Sequence, residues 1–431
     1  MIASQPGSLP RAVPPVASVG GTVRVPGDKS ISHRAALFNA LAEGEASITG
    51  FSSGADCAST LDCLRRLGVG IERPGADTVR IQARGLSEPA DVLDCGNSGT
   101  SMRLLSGILA GAGVFAVLTG DGSLRRRPMA RVVEPLRRMG AHIQGREDGR
   151  LPPLAIISSG RLRGVEHRLS VASAQVKSCL LLAGLFAEGE TTVVEPAPSR
   201  DHTERMLRAM GAPVEVDGRS VTIGPSQLRP VDVQVPGDFS SAAFWLVLGC
   251  LHPDAEVRVE NVGVNPTRTG LLEILRRMGA DVSIERPREV AGEPVADLVA
   301  RSSRLRGTTV GGDLVPLAID EVPLVALLGL FADGETVVRE AAELRVKESD
   351  RVGVVGQGLQ ALGAEIEVTE DGWRIHPSRL RAGRVHSHGD HRMAMLFALA
   401  GTLGEGVQID DAECVGVSYP GFWQTLQDLT D

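Results

Sequence analysis

The sequence repeats itself at long range, and this limits the possible folds more than any other feature. A helical pattern, Leu-x-x-(Leu or Met)-Gly followed by alternating apolar residues, occurs at Leu64–Gly68, Leu136–Gly140, Leu207–Gly211, Leu275–Gly279 and Leu359–Gly363. Residues three apart share a helix face, Gly supplies the left-handed residue that ends the helix, and the alternation that follows marks a half-buried strand. A second pattern, an apolar helix ending in Gly-Glu-x-x-Val or a relative, falls at Gly44, Gly113, Gly189, Asp254, Gly334 and Gly404. The spacing predicts six units of about 70 residues, each with two helices and two or more strands. The sixth is expected to lack its last strand, because the chain ends.

The six units group as two times three. Val25-Pro26-Gly27-Asp28-Lys29-Ser30 returns as Val235-Pro236-Gly237-Asp238-Phe239-Ser240. In both copies a strand ends at Pro, and Asp or Ser then caps a helix whose next residues are apolar. The chain therefore reads as an α/β (α+β) protein of two similar domains. Helix N-termini at the duplicated junctions would favour anions, although two plain crossover segments satisfy the same pattern.

Composition removes several functions. Among 431 residues, 45 Lys and Arg stand against 53 Asp and Glu, and there are three Trp and one Tyr. Such a chain lacks the basic surface and stacking rings of nucleic-acid binders. The apolar stretches Leu104–Leu118 and Val322–Phe331 are interrupted or too short to span a bilayer. The first 18 residues carry no apolar core of a signal peptide and read as a loose tail, so a cytoplasmic protein is expected. Six scattered Cys without a C-x-x-C pair read as reduced, buried thiols.

Several short segments could carry chemistry. Asp28-Lys29-Ser30-Ile31-Ser32-His33-Arg34 places a cation, a hydroxyl and a guanidinium at a helix start, suited to phosphate and carboxylate. A solvated first turn remains the alternative. Cys95–Arg103 is a small-residue loop entering a helix, without the Lys of a nucleotide-binding loop. In Arg125-Arg126-Arg127-Pro128 the Pro could hold one Arg inward. Ser173-Ala174-Gln175-Val176-Lys177 and Ser199-Arg200-Asp201-His202-Thr203-Glu204 offer further caps and cations. Asp320-Glu321 lies between apolar segments, where a buried carboxylate gains proton affinity. Lys347-Glu348-Ser349-Asp350-Arg351 is expected to put Lys347 and Arg351 on one helical face. His386–Arg392 holds three His and one Asp, but its Gly turn and the lack of a partner motif argue against a metal site.

Taken together, an acidic chain has placed Lys29, Arg34, Arg127, Arg200, Lys347, Arg351 and Arg392 at loop–helix junctions in both halves. Two polyanionic small molecules meeting between two domains would explain this, with Asp320 and Glu348 as the groups fit for proton transfer.

The motifs Pro-Gly-Asp-Lys-Ser, Gly-Asn-Ser-Gly-Thr-x-x-Arg, Leu-Thr-Gly-Asp-x-x-Leu-x-x-Arg-Pro-Met, Arg-Val-Lys-Glu-Ser-Asp-Arg and Asp-His-Arg-Met-Ala-Met run in order from about residue 20 to residue 425. This sequence resembles the 3-phosphoshikimate 1-carboxyvinyltransferase (5-enolpyruvylshikimate-3-phosphate synthase) family. The resemblance implies the inside-out barrel fold of enolpyruvyl transferases, each domain holding three βαβαββ units around buried helices. It places one domain at 25–237 and the other at 1–24 plus 238–431. It also implies transfer of the enolpyruvyl group of phosphoenolpyruvate to the 5-hydroxyl of shikimate 3-phosphate, with release of phosphate. The expected enzyme is a monomer and needs no metal or organic cofactor.

By resemblance, Lys29 touches both substrates. Ser30, Arg34, Ser173, Ala174, Gln175, Arg200, Asp320 and Lys347 match the shikimate 3-phosphate site. Gly99, Arg127, Gln175, Arg351 and Arg392 match the phosphoenolpyruvate site. Asp320 and Glu348 match the proton-transfer groups, with Lys29 completing the catalytic set. One departure is Val417, where many members carry a Lys. The Ser-Ala-Gln and Arg-Asp-His-Thr-Glu forms are similar to the second bacterial class, in which glyphosate tolerance is common, whereas Gly99 leaves room for glyphosate and points to sensitivity. The alternatives are the related transferase acting on UDP-N-acetylglucosamine, whose Lys-Asn and mobile-loop Cys are not here, and a non-catalytic repeat scaffold.

Overall fold

The computed structural model of the chain describes residues 10–157 and 161–430. Two compact units emerge, one of Gly27–Val235 with Val290–Glu293 and one of Met1–Pro26, Pro236–Glu289 and Pro294–Asp431. In the first unit, the second and third repeats each fold as strand, buried helix, strand, amphipathic helix and hairpin. In the second repeat, Leu93–Asp94 runs parallel to Ala116–Thr119, which pairs antiparallel with Leu151–Ile157, itself antiparallel to His142–Gly145. Glu166–Arg168, Thr191–Val194, Ser220–Ile223 and Val214–Asp217 repeat this order in the third. In the discontinuous unit the fifth repeat does the same with Thr309–Val310, Thr336–Val338, Trp373–Ile375 and Ile366–Val368.

The first and fourth repeats exchange their leading strands. Gly20–Arg24, which leads into the Lys29 helix, pairs in parallel with Glu256–Gly263 of the fourth repeat. Val233–Gln234, which leads into the Phe239 helix, pairs in parallel with Gly44–Thr49 of the first. Among the described residues the sixth repeat lacks its last strand, as expected: its sheet has three strands where the other five have four, and one of the three comes from the N-terminal segment. Arg11–Val13 pairs antiparallel with Val407–Asp410, beside Gly383–His386. The expectation of a loose tail therefore fails for Arg11–Val13. Val13 is apolar and joins the core at 5% exposure, and pairing an edge strand satisfies its backbone groups. The part of that expectation covering residues 1–9 lies outside the described residues.

The helices divide by pattern. Lys29–Asn39, Gly99–Ala112 and Ala174–Gly184 in one unit are buried almost all round. Phe239–Leu251, Val322–Leu330 and His391–Leu403 in the other are too. A helix apolar on every face belongs inside a core. The second helix of a repeat, such as Ala130–Arg138 or Gly270–Met278, buries one stripe only. All five glycines that end such helices, Gly68, Gly140, Gly211, Gly279 and Gly363, take positive φ. The second pattern holds at Gly44, Gly113, Gly189, Asp254 and Gly334, but at the sixth position the left-handed residue is Gly406, not Gly404. Among the described residues no helix is long and apolar enough to cross a membrane. The six cysteines are free thiols, five buried and Cys414 partly so.

Candidate functional site

Three buried helices of the Gly27–Val235 unit bring their first turns together. Their caps are made by side chains: Asp28 accepts from Ile31 N at 2.9 Å, Ser98 from Ser101 N at 3.1 Å, and Ser173 from Val176 N at 3.4 Å. These caps are the short polar residues that Asp, Ser and Thr positions favour at helix starts. Each first turn then presents functional side chains. Lys29 Nζ donates to Asp56 Oδ2 at 2.8 Å. Arg200 Nη1 reaches Ser30 Oγ at 3.4 Å. Gln175 Nε2 donates to Thr100 Oγ1 at 2.9 Å, and Gln175 Oε1 accepts from Arg103 Nη1 at 2.5 Å. Ser173 thus caps, Ala174 gives its carbonyl to Ser178 at 2.5 Å, and Gln175 and Gly99 meet at Arg103.

The basic run sorts itself as its Pro suggested. Arg125 and Arg126 are exposed, whereas Arg127 is buried at 7% and donates to Asn97 Oδ1 at 2.6 Å. Arg34 is deeper still. Its Nε donates to Thr203 Oγ1 and its Nη2 to Ser178 Oγ, both at 2.7 Å, and its Nη1 to Ser30 O at 3.0 Å. Burial draws the Arg34 guanidinium down to about 10, against the pull of Glu204. The segment at Ser199–Glu204 differs from the expected capping. Asp201 precedes the helix His202–Ala209 without capping it, because its carboxylate pairs with Arg205 Nε at 2.9 Å.

The discontinuous unit assembles a second cluster around Arg351. This fully buried guanidinium donates from Nε to Asp390 Oδ2 at 2.8 Å, from Nη2 to Glu348 Oε2 at 2.7 Å and from Nη1 to Asp320 Oδ1 at 3.2 Å. Burial opposes its charge, but Asp390, Glu348 and Asp320 together push its pKa up. Asp390 is lowered, since the Arg351 charge outweighs burial. Lys347 Nζ lies 4.0 Å from Asp320, and Arg392 Nη2 3.8 Å from it. Burial lowers the Lys347 pKa, with Asp320 pulling the other way. Asp320 thus faces three cations rather than apolar segments alone.

One local expectation is corrected here. Lys347 and Arg351 do not share a helical face, because the helix begins at Arg351 and Asp350 caps it through Gly353 N at 3.1 Å. Lys347 has an extended backbone, and an N-capping Asp blocks earlier helical turns. In the His386–Arg392 segment, Asp390 turns to Arg351 and caps Arg392 N at 3.0 Å. His386 lies against His388 at 4.5 Å and pairs with Asp411 at 3.3 Å. Among the described residues no three His, Cys, Asp or Glu are placed to hold a metal ion. Val417 ends a short 3-10 turn, half-buried.

Sequence reasoning passed over Arg103, Asn97, Asp56, Thr203 and Ser178. Arg103 had a visible signal, since a cation four residues after Gly99 on an otherwise apolar helix must find a partner. A methyl added at Gly99 would come 2.9 Å from Arg103 Nη1 and 3.4 Å from Arg127 Nη1. Asp390 also lay in plain view, but as a possible metal ligand and not as the counter-ion of Arg351.

An array of three-repeat units, with helix N-termini dressed by cations in one and a carboxylate-ringed arginine in the other, is the enolpyruvyl transferase fold. The enolpyruvyl transferase NikO of Streptomyces tendae shares it, with a TM-score of 0.77 at 21% identity over 97% of this chain and 96% of that one. The EPSP synthase (3-phosphoshikimate 1-carboxyvinyltransferase) profile matches residues 13–426. The chain is 53% identical over 423 residues to the 3-phosphoshikimate 1-carboxyvinyltransferase of Desulforudis audaxviator, covering 97% of this chain and 98% of that protein. The EPSP synthase of Acinetobacter baumannii superposes with a TM-score of 0.86 at 46% identity over 97% and 98% of the two chains. The chain belongs to the EPSP synthase family. It is an enzyme of the shikimate pathway, and its reaction is enolpyruvyl transfer.

Proposed function

We propose that the substrates are phosphoenolpyruvate and shikimate 3-phosphate, and that the two clusters divide the work. Ser30, Arg34, Ser173, Ala174, Gln175 and Arg200 hold shikimate 3-phosphate. Lys29 touches both substrates, and Gly99, Arg127, Gln175, Arg351 and Arg392 take the phosphate and carboxylate of phosphoenolpyruvate. Asp320 and Lys347 serve the 5-hydroxyl.

The chemistry asks for these groups. Phosphoenolpyruvate becomes electrophilic at C2 when C3 gains a proton, so an acid must stand at C3 and a base at the attacking hydroxyl. Glu348 gives the proton to C3 and Asp320 receives that of the hydroxyl as the C2–O bond forms. In the tetrahedral intermediate the C2–O bond to phosphate breaks, phosphate leaves with a proton from Asp320, and Glu348 takes the C3 proton back. Guanidinium and ammonium groups stabilise the anionic charge throughout. The observation that carries this reading is Arg351, whose one guanidinium bonds both Glu348 and Asp320. A donor shared between two carboxylates fixes them at a defined spacing, as an acid and a base on one substrate require.

The test is phosphate release on mixing the protein with phosphoenolpyruvate and shikimate 3-phosphate, with UDP-N-acetylglucosamine as control acceptor. Release with the control alone overturns the substrate assignment. Glu348→Gln should remove most turnover with modest change in substrate affinity, and a variant turning over normally overturns the acid assignment. A monomer of 45.3 kDa in the cytoplasm completes the reading, and light scattering of the purified protein tests the first part.

A further inference from the structure

A buried ammonium to which the proposed chemistry gives no role ties three segments of the Gly27–Val235 unit together. Lys177, in the helix Ala174–Gly184, is 1% exposed. Its Nζ donates to Glu195 Oε2 at 2.8 Å and to Ser199 O at 3.5 Å, and lies 2.6 Å from Glu204 Oε1. Three donors meet three acceptors. The other oxygen of Glu195 accepts from the Ser199 hydroxyl, so the turn before Arg200 is held from both its carbonyl and its side chain.

The third anchor, Glu204, sits in the first turn of His202–Ala209 beside Thr203, and Thr203 Oγ1 accepts from Arg34 Nε and shares a proton with Ser178 Oγ at 2.6 Å. Most groups assigned to shikimate 3-phosphate in this unit thereby connect to Lys177 through its own helix, the Ser199 turn or the Thr203 turn, Lys29 with its partner Asp56 standing apart. Gln175 and Ser173 are on or at the start of its own helix, Arg200 follows Ser199, and Arg34 is held by Thr203. A buried ion cluster is a poor way to gain stability, since apolar residues of similar volume often do as well or better. It is a good way to fix one geometry, because each member has a single set of partners.

We propose that Lys177 is a positioning residue for shikimate 3-phosphate, clamping the Ser199–Arg200 turn and the Thr203 turn in the register that the phosphate requires. The proposal rests on the assignment of that substrate to this unit. Lys177 itself touches no substrate.

The test uses the full chain. Lys177→Met takes from the buried carboxylates of Glu195 and Glu204 the ammonium they share and can fail to fold. A second variant therefore combines Lys177→Met with Glu195→Gln and Glu204→Gln, which removes the buried charge altogether, and a third is Ser199→Ala, which removes only the hydroxyl link. In the triple variant the KM for shikimate 3-phosphate is expected to rise by about tenfold or more, the scale of one charge-assisted hydrogen bond. The KM for phosphoenolpyruvate and kcat at saturating shikimate 3-phosphate should stay near wild type. Amide exchange at residues 199–203 should accelerate, and Ser199→Ala should show a smaller change of the same kind. Equal rises in both KM values, or unchanged exchange at 199–203, overturn the proposal. Calorimetry of wild type with shikimate 3-phosphate alone separates the two layers. Wild type that binds none overturns the substrate assignment, and this role with it, before any variant is made.

Discussion

Arg103 Nη1 and Gln175 Oε1 meet at 2.5 Å, directly over the position where Gly99 lacks a side chain. A methyl at Gly99 would stand 2.9 Å from that same nitrogen, so Gly99→Ala must push Arg103 aside and release Gln175. Overpacking a tight site typically costs about 1–3 kcal/mol, equal to about five- to 150-fold in affinity. The KM for phosphoenolpyruvate should rise by that factor, while binding of shikimate 3-phosphate, measured calorimetrically, should weaken by less, because Gln175 is only one of the groups that hold it. Equal losses for both substrates would count against a local effect.

Asp390 is both the counter-ion of Arg351 and the cap of its own helix. Asp390→Ala leaves a buried guanidinium short of one charge and should cost about 3–5 kcal/mol of stability. Urea unfolding followed by circular dichroism measures this. Asp390→Asn keeps a capping side chain, so it should recover part of the stability but little of the activity.

Burial lowers the pKa of Lys347, and the sign of its pH effect follows. Between the lowered folded value and the ordinary value near 10.4, the unfolded chain binds more protons than the folded one, so this group makes stability rise with pH. Its charge, by contrast, disappears over the same window. The KM for shikimate 3-phosphate should therefore climb on the alkaline side at a pH below the usual lysine range. Lys347→Arg should move that limb upward, and an unmoved pH profile would assign it to another group.

Val13 anchors the N-terminal strand by burying its side chain in the core of the discontinuous unit. Val13→Ala should cost about 2 kcal/mol through lost burial and the space left behind. A lower thermal midpoint with unchanged KM values is the expected result. Loss of activity without loss of stability would mean that the strand does more than complete a sheet.

How far the sequence reached depended on the range of the interaction. The Leu-x-x-Leu/Met-Gly repeats and the twin Pro-Gly-Asp junctions were readable because helix faces, caps and left-handed glycines are local, and the structure places each of them as that logic requires. The strand exchange between the first and fourth repeats was not readable, since Val233 and Ile48 are far apart in sequence and two residues carry no pairing signal. The same holds for Arg11–Val13 and its partner Ile409. Within the site, cations at helix starts were visible as residue types. Their partners were not, because Asp56 for Lys29 or Thr203 for Arg34 depends on which helices meet. The reading of Lys347 as helical failed on a single residue, Asp350, whose cap competes with continuation of the turn.

The exchanged strand has a further consequence for the stretch from Gly27 to Val235. Val233 and Gln234 pair beside Ile48 and Thr49, and a Cβ on Gly27 would lie 3.3 Å from Val235 Cγ1. The two ends of this 27–235 stretch are therefore neighbours. A segment whose ends abut can be spliced into a surface turn of another protein while displacing its flanks hardly at all, and it can be cut elsewhere and rejoined across Gly27 and Val235.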